Sequence, residues 1–263
     1  MTRPVGVFDS GIGGLSVLRA LRAEMPHQSF VYVADSGHAP YGERDAAHVI
    51  ARSRALTRQL VQAHDIQTLV VACNTATAAA IHLLREEHPG LPIVGLEPAL
   101  KPAAQASRTR RVGVLATRGT LQSTKFKALH QMLAGQADFV LQACDGLADA
   151  IERQDDTRIT ALAGRYVEAL GACGQEPEAI DTVVLGCTHY PLILPTLRAL
   201  LGPGVTLLES GAPVARQTRR VLPEAAETGP SDLHCYTTGE AAELQAAVQR
   251  WLQVPVGAET LKI

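Results

Sequence analysis

The chain has 263 residues, of which 46% are hydrophobic and 19% are charged, and its formal net charge is −2. Such a composition is typical of a folded globular protein and excludes an intrinsically disordered chain. The charge is nearly balanced and forms no run of one sign. This excludes the basic surface of a nucleic-acid-binding protein and argues against a membrane as a partner.

The sequence predicts a cytoplasmic protein. It has no run of about 18 apolar residues that would span a membrane, and an apolar strand begins at Val5, too early for a signal peptide. The cysteines number five, an odd count that favours reduced thiols over a disulfide framework.

Short apolar runs alternate with helical patterns in the first part of the chain. The sequence predicts strands at residues 5–8, 30–34, 68–72 and 92–95 and helices at residues 15–25, 43–63 and 75–87. Glycines fill the loop Gly11–Gly14 after the first strand, and glycine and proline mark the loop at 36–42.

The same alternation restarts at Arg111. Strands are predicted at residues 111–116, 139–143, 182–186 and, as the last strand, 205–208. A helix is predicted after the loop at residues 117–120, to about Met132, and further helices are predicted at about 146–154, 156–172, 191–201, 212–222 and 239–252. Alternating strands and helices predict an α/β fold with parallel sheets and helices on both faces.

An internal repeat relates the two parts. Residues 5–7 match residues 112–114, and residues 72–75 match residues 186–189. The repeat predicts two pseudo-symmetric, doubly wound parallel-sheet lobes. Because ligands of such sheets bind at the carboxyl ends of the strands, we expect the active site in the cleft between the lobes.

The predicted boundaries follow from this repeat. The first lobe comprises residues 1–98 together with residues 211–263, so the C-terminal helices return to it. The second lobe comprises residues 99–210.

Cys73 and Cys187 occupy equivalent positions in the repeat, each between a strand end and a helix start. The partial positive charge of a helix N-terminus stabilises a thiolate, so we expect both thiols to have a lowered pKa. The N–H groups at 74–75 and 188–189 would bind a carboxylate. Two thiols on opposite faces of one carbon would remove and return a proton, which inverts a stereocentre. The alternative is that both cysteines are small core residues.

Two other strand ends carry polar residues. Asp9-Ser10 would cap the following helix, or handle a proton or an amino group. The glycine loop with Asp35 resembles a dinucleotide-binding fingerprint, but Ser16 stands where the last glycine should be. Tyr41-Gly42 is either a surface turn or part of the substrate site.

His189 would assist the Cys187 thiol or hold its protonation state. A zinc site formed with Cys73 is a second interpretation, which no paired-ligand spacing supports. A Cys-His nucleophile for acyl transfer is a third, and it leaves the other cysteine without a role. The remaining cysteines are expected to be structural: Cys144, Cys173 and Cys235.

Four motifs in this order, over about residues 5–220, together resemble one family. They are Asp9-Ser10-Gly11-Ile12-Gly13-Gly14, Pro40-Tyr41-Gly42, Ala72-Cys73-Asn74-Thr75-Ala76 and Gly186-Cys187-Thr188-His189-Tyr190-Pro191. The family that carries them is that of the glutamate racemases, within the aspartate/glutamate racemase superfamily.

The resemblance implies racemisation of glutamate without a cofactor or metal, which supplies D-glutamate for peptidoglycan. Cys73 would act on the D-isomer with help from Asp9, and Cys187 on the L-isomer with help from His189. The residues implied to hold the substrate are Asp9, Ser10, Tyr41, Gly42, Asn74, Thr75, Thr188 and His189, with Thr117 and Thr120 as further lining residues. The implied partner is glutamate, and a homodimer is one candidate assembly.

The sequence departs from the family pattern at two places. The segment 144–152 lacks the usual proline-led run before Glu152, and Glu209 replaces the aspartate of a late Asp-Ser-Gly run. Three alternatives stay open: a racemase for aspartate or hydantoin, a single-cysteine decarboxylase, and a binding protein without turnover.

Overall fold

The computed structural model describes residues 3–223 and 228–263. The chain divides into two compact units, one formed by Met1–Leu96 with Gly211–Ile263 and the other by Glu97–Ser210. Within the described ranges, no helix is both long enough and apolar enough to cross a membrane.

Strands and helices alternate along most of the chain. The strands in the described residues are β1 (Val5–Asp9), β2 (Phe30–Ala34), β3 (Thr68–Val71), β4 (Ile93–Gly95), β5 (Arg111–Ala116), β6 (Asp138–Ala143), β7 (Thr182–Gly186), β8 (Thr206–Leu208), β9 (Leu233–Thr237) and β10 (Ala258–Thr260). The α-helices are α1 (Leu15–Glu24), α2 (Ala46–His64), α3 (Asn74–Glu87), α4 (Leu100–Ala106), α5 (Arg118–Gln122), α6 (Thr124–Met132), α7 (Leu147–Glu152), α8 (Asp156–Leu170), α9 (Leu194–Leu201), α10 (Gly211–Val221) and α11 (Ala241–Leu252).

In the part of the chain that the structure describes, each unit contains one sheet and every strand pair is parallel. The first unit has six strands in the order β10-β9-β2-β1-β3-β4, and the second has four in the order β6-β5-β7-β8. The four strands of the second sheet, taken in chain order, are arranged in the same way as β2-β1-β3-β4 of the first sheet. The predicted α/β fold with two parallel sheets is therefore confirmed.

The cores explain why the strands read as continuous apolar runs. Strands β1, β2, β3 and β7 are buried along their whole length, as parallel strands covered on both faces must be. In the first unit the side chains packed together include Phe8, Leu56, Leu69 and Leu84. In the second unit they include Val112, Val114, Phe126 and Val184.

The prediction that residues 205–208 form the last strand is wrong, because β9 and β10 follow. β9 pairs with β2 from Phe30↔Leu233 to Ala34↔Thr237, and β10 pairs with β9. Both strands are partly exposed, and neither contains a run of valine, leucine and isoleucine. Their pairing is decided by the neighbouring strand rather than by local pattern.

Two helical predictions also change. The single helix expected after Thr120 is replaced by α5 and α6, because the Ser123 hydroxyl accepts a hydrogen bond from the Phe126 N–H (3.1 Å) and starts a new helix. Helix α4 contains Pro102 and has no counterpart among the predicted helices. That proline lies in the first turn, where its missing N–H costs no helical hydrogen bond.

Candidate active site

The carboxyl ends of β1 and β3 bring Asp9, Ser10 and Cys73 together. The strands pair with Phe8 opposite Val71, so the residues that follow each of them lie side by side. The Cys73 thiol lies 3.8 Å from the Ser10 hydroxyl, to which it donates, and it accepts the Ala76 N–H at 3.5 Å. Cys73 is thus the N-cap of α3, as its place before a helix predicted.

Asp9 is fully buried. One carboxylate oxygen accepts the Gly14 N–H at 2.5 Å, just before α1, and the other lies 3.4 Å from the Ser10 hydroxyl. The prediction that Asp9-Ser10 caps the following helix is wrong, because the N-cap of α1 is Gly14 and no side chain forms a cap hydrogen bond there. The Asp9 carboxylate is instead linked through Ser10 to the Cys73 thiol.

Asn74 and Thr75 form the first turn of α3 and are buried. The Asn74 side-chain Nδ2 is buried, and no group in the described part of the chain accepts a hydrogen bond from it. A buried donor without a partner is costly, and an anionic ligand at a helix N-terminus would satisfy it. This geometry suits a substrate carboxylate beside Cys73.

Tyr41 and Gly42 are buried in the loop after β2. The Tyr41 hydroxyl donates a short hydrogen bond to Asp35, which also receives two hydrogen bonds from Arg52. Tyr41 belongs to the same buried cluster as Cys73. The surface-turn interpretation of Tyr41-Gly42 is therefore wrong. Asp35, which the dinucleotide interpretation would use, is already fully engaged by protein groups.

In the second unit, β7 ends at Gly186 and is followed by three buried residues, Cys187, Thr188 and His189. The Cys187 Sγ lies 3.8 Å from His189 Nδ1, and His189 Nε2 lies 2.8 Å from Glu152 Oε2. The three side chains form a thiol–imidazole–carboxylate chain. Such an arrangement orients the imidazole and lets it exchange a proton with the thiol.

The electrostatics of this chain favour a charged imidazole. Burial alone would lower the pKa of His189, but the hydrogen bonds to Cys187 and Glu152 raise that pKa well above its usual value. A protonated His189 stabilises a Cys187 thiolate.

Glu152 has no role predicted from the sequence. It ends α7, where a negative charge opposes the helix dipole. An acidic residue at a helix C-terminus is a weak signal that some other group pairs with it. Sequence alone does not identify His189 as that group, 37 residues away.

The other cysteines lie in different surroundings. Burial raises the pKa of Cys144 and of Cys235 to about 12, so both stay neutral thiols, and burial also raises the pKa of Cys173. Within the described residues, no group of three or more His, Cys, Asp or Glu side chains is placed to hold a metal ion.

Thr117 and Thr120 lie at the end of β5 in the second unit. The Thr117 hydroxyl accepts the Thr120 N–H at 3.2 Å and caps α5. Their lining role stays a prediction, as does the cleft.

Comparisons with known proteins all indicate one family. The model of the Asp/Glu/hydantoin racemase family matches residues 15–218. A glutamate racemase from Ectopseudomonas mendocina (strain ymp) is 49% identical over 251 residues, covering 93% of each chain. The crystal structure of glutamate racemase isoform RacE1 from Bacillus anthracis has a TM-score of 0.86 at 28% identity, covering 99% of this chain and 98% of that one. The Escherichia coli glutamate racemase, solved with L-glutamate and the activator UDP-MurNAc-ala, has a TM-score of 0.84 at 32% identity, covering 99% and 98%.

Proposed function

The chain belongs to the glutamate racemase branch of the Asp/Glu/hydantoin racemase family and is an isomerase that racemises glutamate, and we propose that it does so with two cysteine thiols and no cofactor. The observation that carries the proposal is a pairing. Cys73 and Cys187 follow the equivalent strands β3 and β7 of two sheets that share the order of four strands, and each is linked to a polar partner.

In the L-to-D direction, the Cys187 thiolate takes the α-proton of L-glutamate. The electron pair of the C–H bond passes to the α-carbon and its carboxylate, and the Cys73 thiol then donates its proton to the opposite face. D-glutamate leaves a Cys187 thiol and a Cys73 thiolate, which is the form that accepts D-glutamate. The D-to-L direction uses the same steps with the cysteines exchanged.

The partners tune these protonation states. His189, held by Glu152, stabilises the thiolate of Cys187 and takes up or returns a proton as that thiol cycles. Asp9, linked through Ser10, would serve Cys73 in the same way.

The α-proton is far less acidic than a thiol, so the site must stabilise the carbanion-like transition state. Asn74, Thr75, Thr188 and the N–H groups around them are the proposed contacts for the substrate, together with Asp9, Ser10, Tyr41, Gly42 and His189. Donors fixed before the reaction stabilise developing negative charge without reorganising. The buried Asn74 amide supports this assignment.

We further propose that the product serves peptidoglycan synthesis in the cytoplasm, and hence cell shape. A bacterial strain that requires D-glutamate tests this role. Expression of the wild-type gene should restore growth without D-glutamate, and expression of a Cys73→Ser variant should not. Growth with both, or with neither, would contradict the proposal.

The cysteine variants test the mechanism. Cys73→Ser and Cys187→Ser should each lower kcat by about 10²-fold or more, because a hydroxyl is a much poorer base than a thiol at neutral pH. Cys235→Ser is the matched control, because that buried thiol lies inside β9 and has no proposed part in the reaction. A single-cysteine enzyme would keep its activity in one of the two variants. A binding protein would bind glutamate without turnover even as the wild type.

A further inference from the structure

The loop from Ser36 to Gly42 is held from the far end of the chain. Strand β9 lies beside β2 with Thr237 opposite Ala34. Asp35 and Thr238, the residues that follow the two strands, therefore lie close together. The Thr238 N–H donates to the Ala34 carbonyl at 3.1 Å and extends this ladder by one bond. Thr238 is therefore fixed next to the start of the loop that carries Tyr41.

The Thr238 side chain contacts the loop directly. Its hydroxyl donates to Asp35 Oδ1 at 2.7 Å and accepts the Gly37 N–H at 3.1 Å. The backbones also approach closely, since a Cβ on Gly37 would stand 2.6 Å from the Thr238 carbonyl oxygen. The contact therefore requires the hydroxyl group of Thr238 and the absence of a side chain at Gly37.

Asp35 connects Thr238 to Tyr41 through hydrogen bonds. The carboxylate is fully buried and accepts hydrogen bonds from Thr238, from the Tyr41 hydroxyl and, at 2.8 and 2.9 Å, from Arg52. Rotation of Asp35 would disturb the Tyr41 hydroxyl, so Thr238 and Arg52 together fix the direction in which Tyr41 is held.

The last residues complete the arrangement. Strand β10 pairs with β9, and the Leu261 N–H donates to the Thr237 carbonyl at 2.7 Å. Arg52 Nη1 donates to the Ile263 carbonyl at 3.2 Å. One guanidinium thus joins the C-terminal segment to the buried carboxylate that orients Tyr41.

We propose that Thr238 is a positioning residue for glutamate binding, through which the C-terminal strands β9 and β10 set the loop 36–42. The proposal rests on the substrate role proposed for Tyr41 and Gly42. Thr238 touches no reacting atom, so its loss should weaken binding of both enantiomers and leave the proton transfers intact.

The test compares steady-state kinetics in both directions for Thr238→Val, which removes the hydroxyl at nearly constant volume. We expect KM for L- and D-glutamate to rise about tenfold, the size of one lost hydrogen bond to a charged group, with kcat within about twofold of wild type. Thr238→Ser, which keeps the hydroxyl, should restore KM. Thr57→Val is the matched control. Thr57 is buried, and the one hydrogen bond described for its side chain goes to the Ser53 carbonyl of its own helix, at 2.8 Å.

A second variant reaches the same contact from the loop. Gly37→Ala should raise KM as Thr238→Val does, whereas Gly90→Ala should not, since no atom lies within 4 Å of a Cβ there. An unchanged KM in both Thr238→Val and Gly37→Ala, or a fall in kcat alone, would overturn the proposal. A failure of the two-cysteine mechanism would appear instead in the Cys73 and Cys187 variants, which this comparison does not use.

Discussion

At the scale of single residues, hydrogen bonds join the side chains of Cys187, His189 and Glu152. His189 is buried with a pKa raised well above its usual value, and an imidazolium beside a thiol favours the thiolate. Glu152 contributes to the raised pKa of His189 through its hydrogen bond to Nε2.

Glu152→Gln removes the negative charge while keeping a hydrogen-bonding side chain. Because Glu152 helps to raise the pKa of His189, its neutral replacement should lower that pKa, and the imidazolium would be lost at a lower pH. We expect the alkaline limb of the pH profile of kcat for L-glutamate to move down by about one pH unit.

The control for this prediction is Glu168→Gln, an exposed change of the same charge on α8. Its pH profile should match the wild type. A profile that does not move in Glu152→Gln would show that His189 does not depend on Glu152 for its charge.

Among the elements, the close approach of β5 and β7 positions Cys187. A Cβ on Gly186 would stand 2.8 Å from the Ala116 Cβ, across the strand pair that ends at this point. Real carbon atoms do not come so close, so any side chain at 186 would force the two strand ends apart and move the residue that follows.

Gly186→Ala should therefore destabilise the protein by about 1–3 kcal/mol, the usual cost of overpacking, and should lower kcat with it. Urea unfolding measures the first effect and a racemisation assay the second. Gly164→Ala, in the middle of α8 with its nearest contact at 4.0 Å, should instead stabilise by up to about 1 kcal/mol. Equal behaviour of the two variants would contradict the packing argument.

The elements also divide into those that sequence predicts and those that it does not. Strands β1 to β8 follow from their apolar runs, and the repeat predicts that β7 matches β3. Strand β9 cannot be predicted in this way, because residues 233–237 are held in the sheet by their pairing with β2 and not by their own hydrophobicity. In the site, motifs identify Cys73 and Cys187, but only the fold brings Glu152 to His189.

For the molecule as a whole, the buried Asp35–Arg52 pair links stability to pH. Burial raises the pKa of Asp35, but the hydrogen bonds from Arg52, Tyr41 and Thr238 outweigh that effect and lower it. The unfolded chain then binds the proton more tightly than the folded one. The stabilisation is present above the unfolded value near 3.9 and is lost as the pH falls through the lower, folded value.

Asp35→Asn should cost about 3–5 kcal/mol at pH 7, because it leaves the Arg52 charge half-paired in a buried place. The difference from wild type in the free energy of unfolding, measured in urea, should narrow below about pH 4, where Asp35 of the unfolded wild-type chain takes up a proton before Asp35 of the folded chain does. Asp65→Asn, whose exposed ion pair with Arg3 spans 3.4 Å, should change stability by less than about 0.5 kcal/mol. A pH-independent difference for Asp35→Asn would contradict the linkage.

The most direct test of the two-cysteine mechanism follows hydrogen at the α-carbon. Cofactor-free enzyme is incubated with L-glutamate in D₂O, and both enantiomers are separated at low conversion and analysed by mass spectrometry. Two separate thiols predict D-glutamate that carries deuterium at Cα, while the remaining L-glutamate keeps its protium. D-glutamate that retains protium, or L-glutamate that gains deuterium as fast as product forms, would mean that one group serves both faces and would contradict the two-cysteine account.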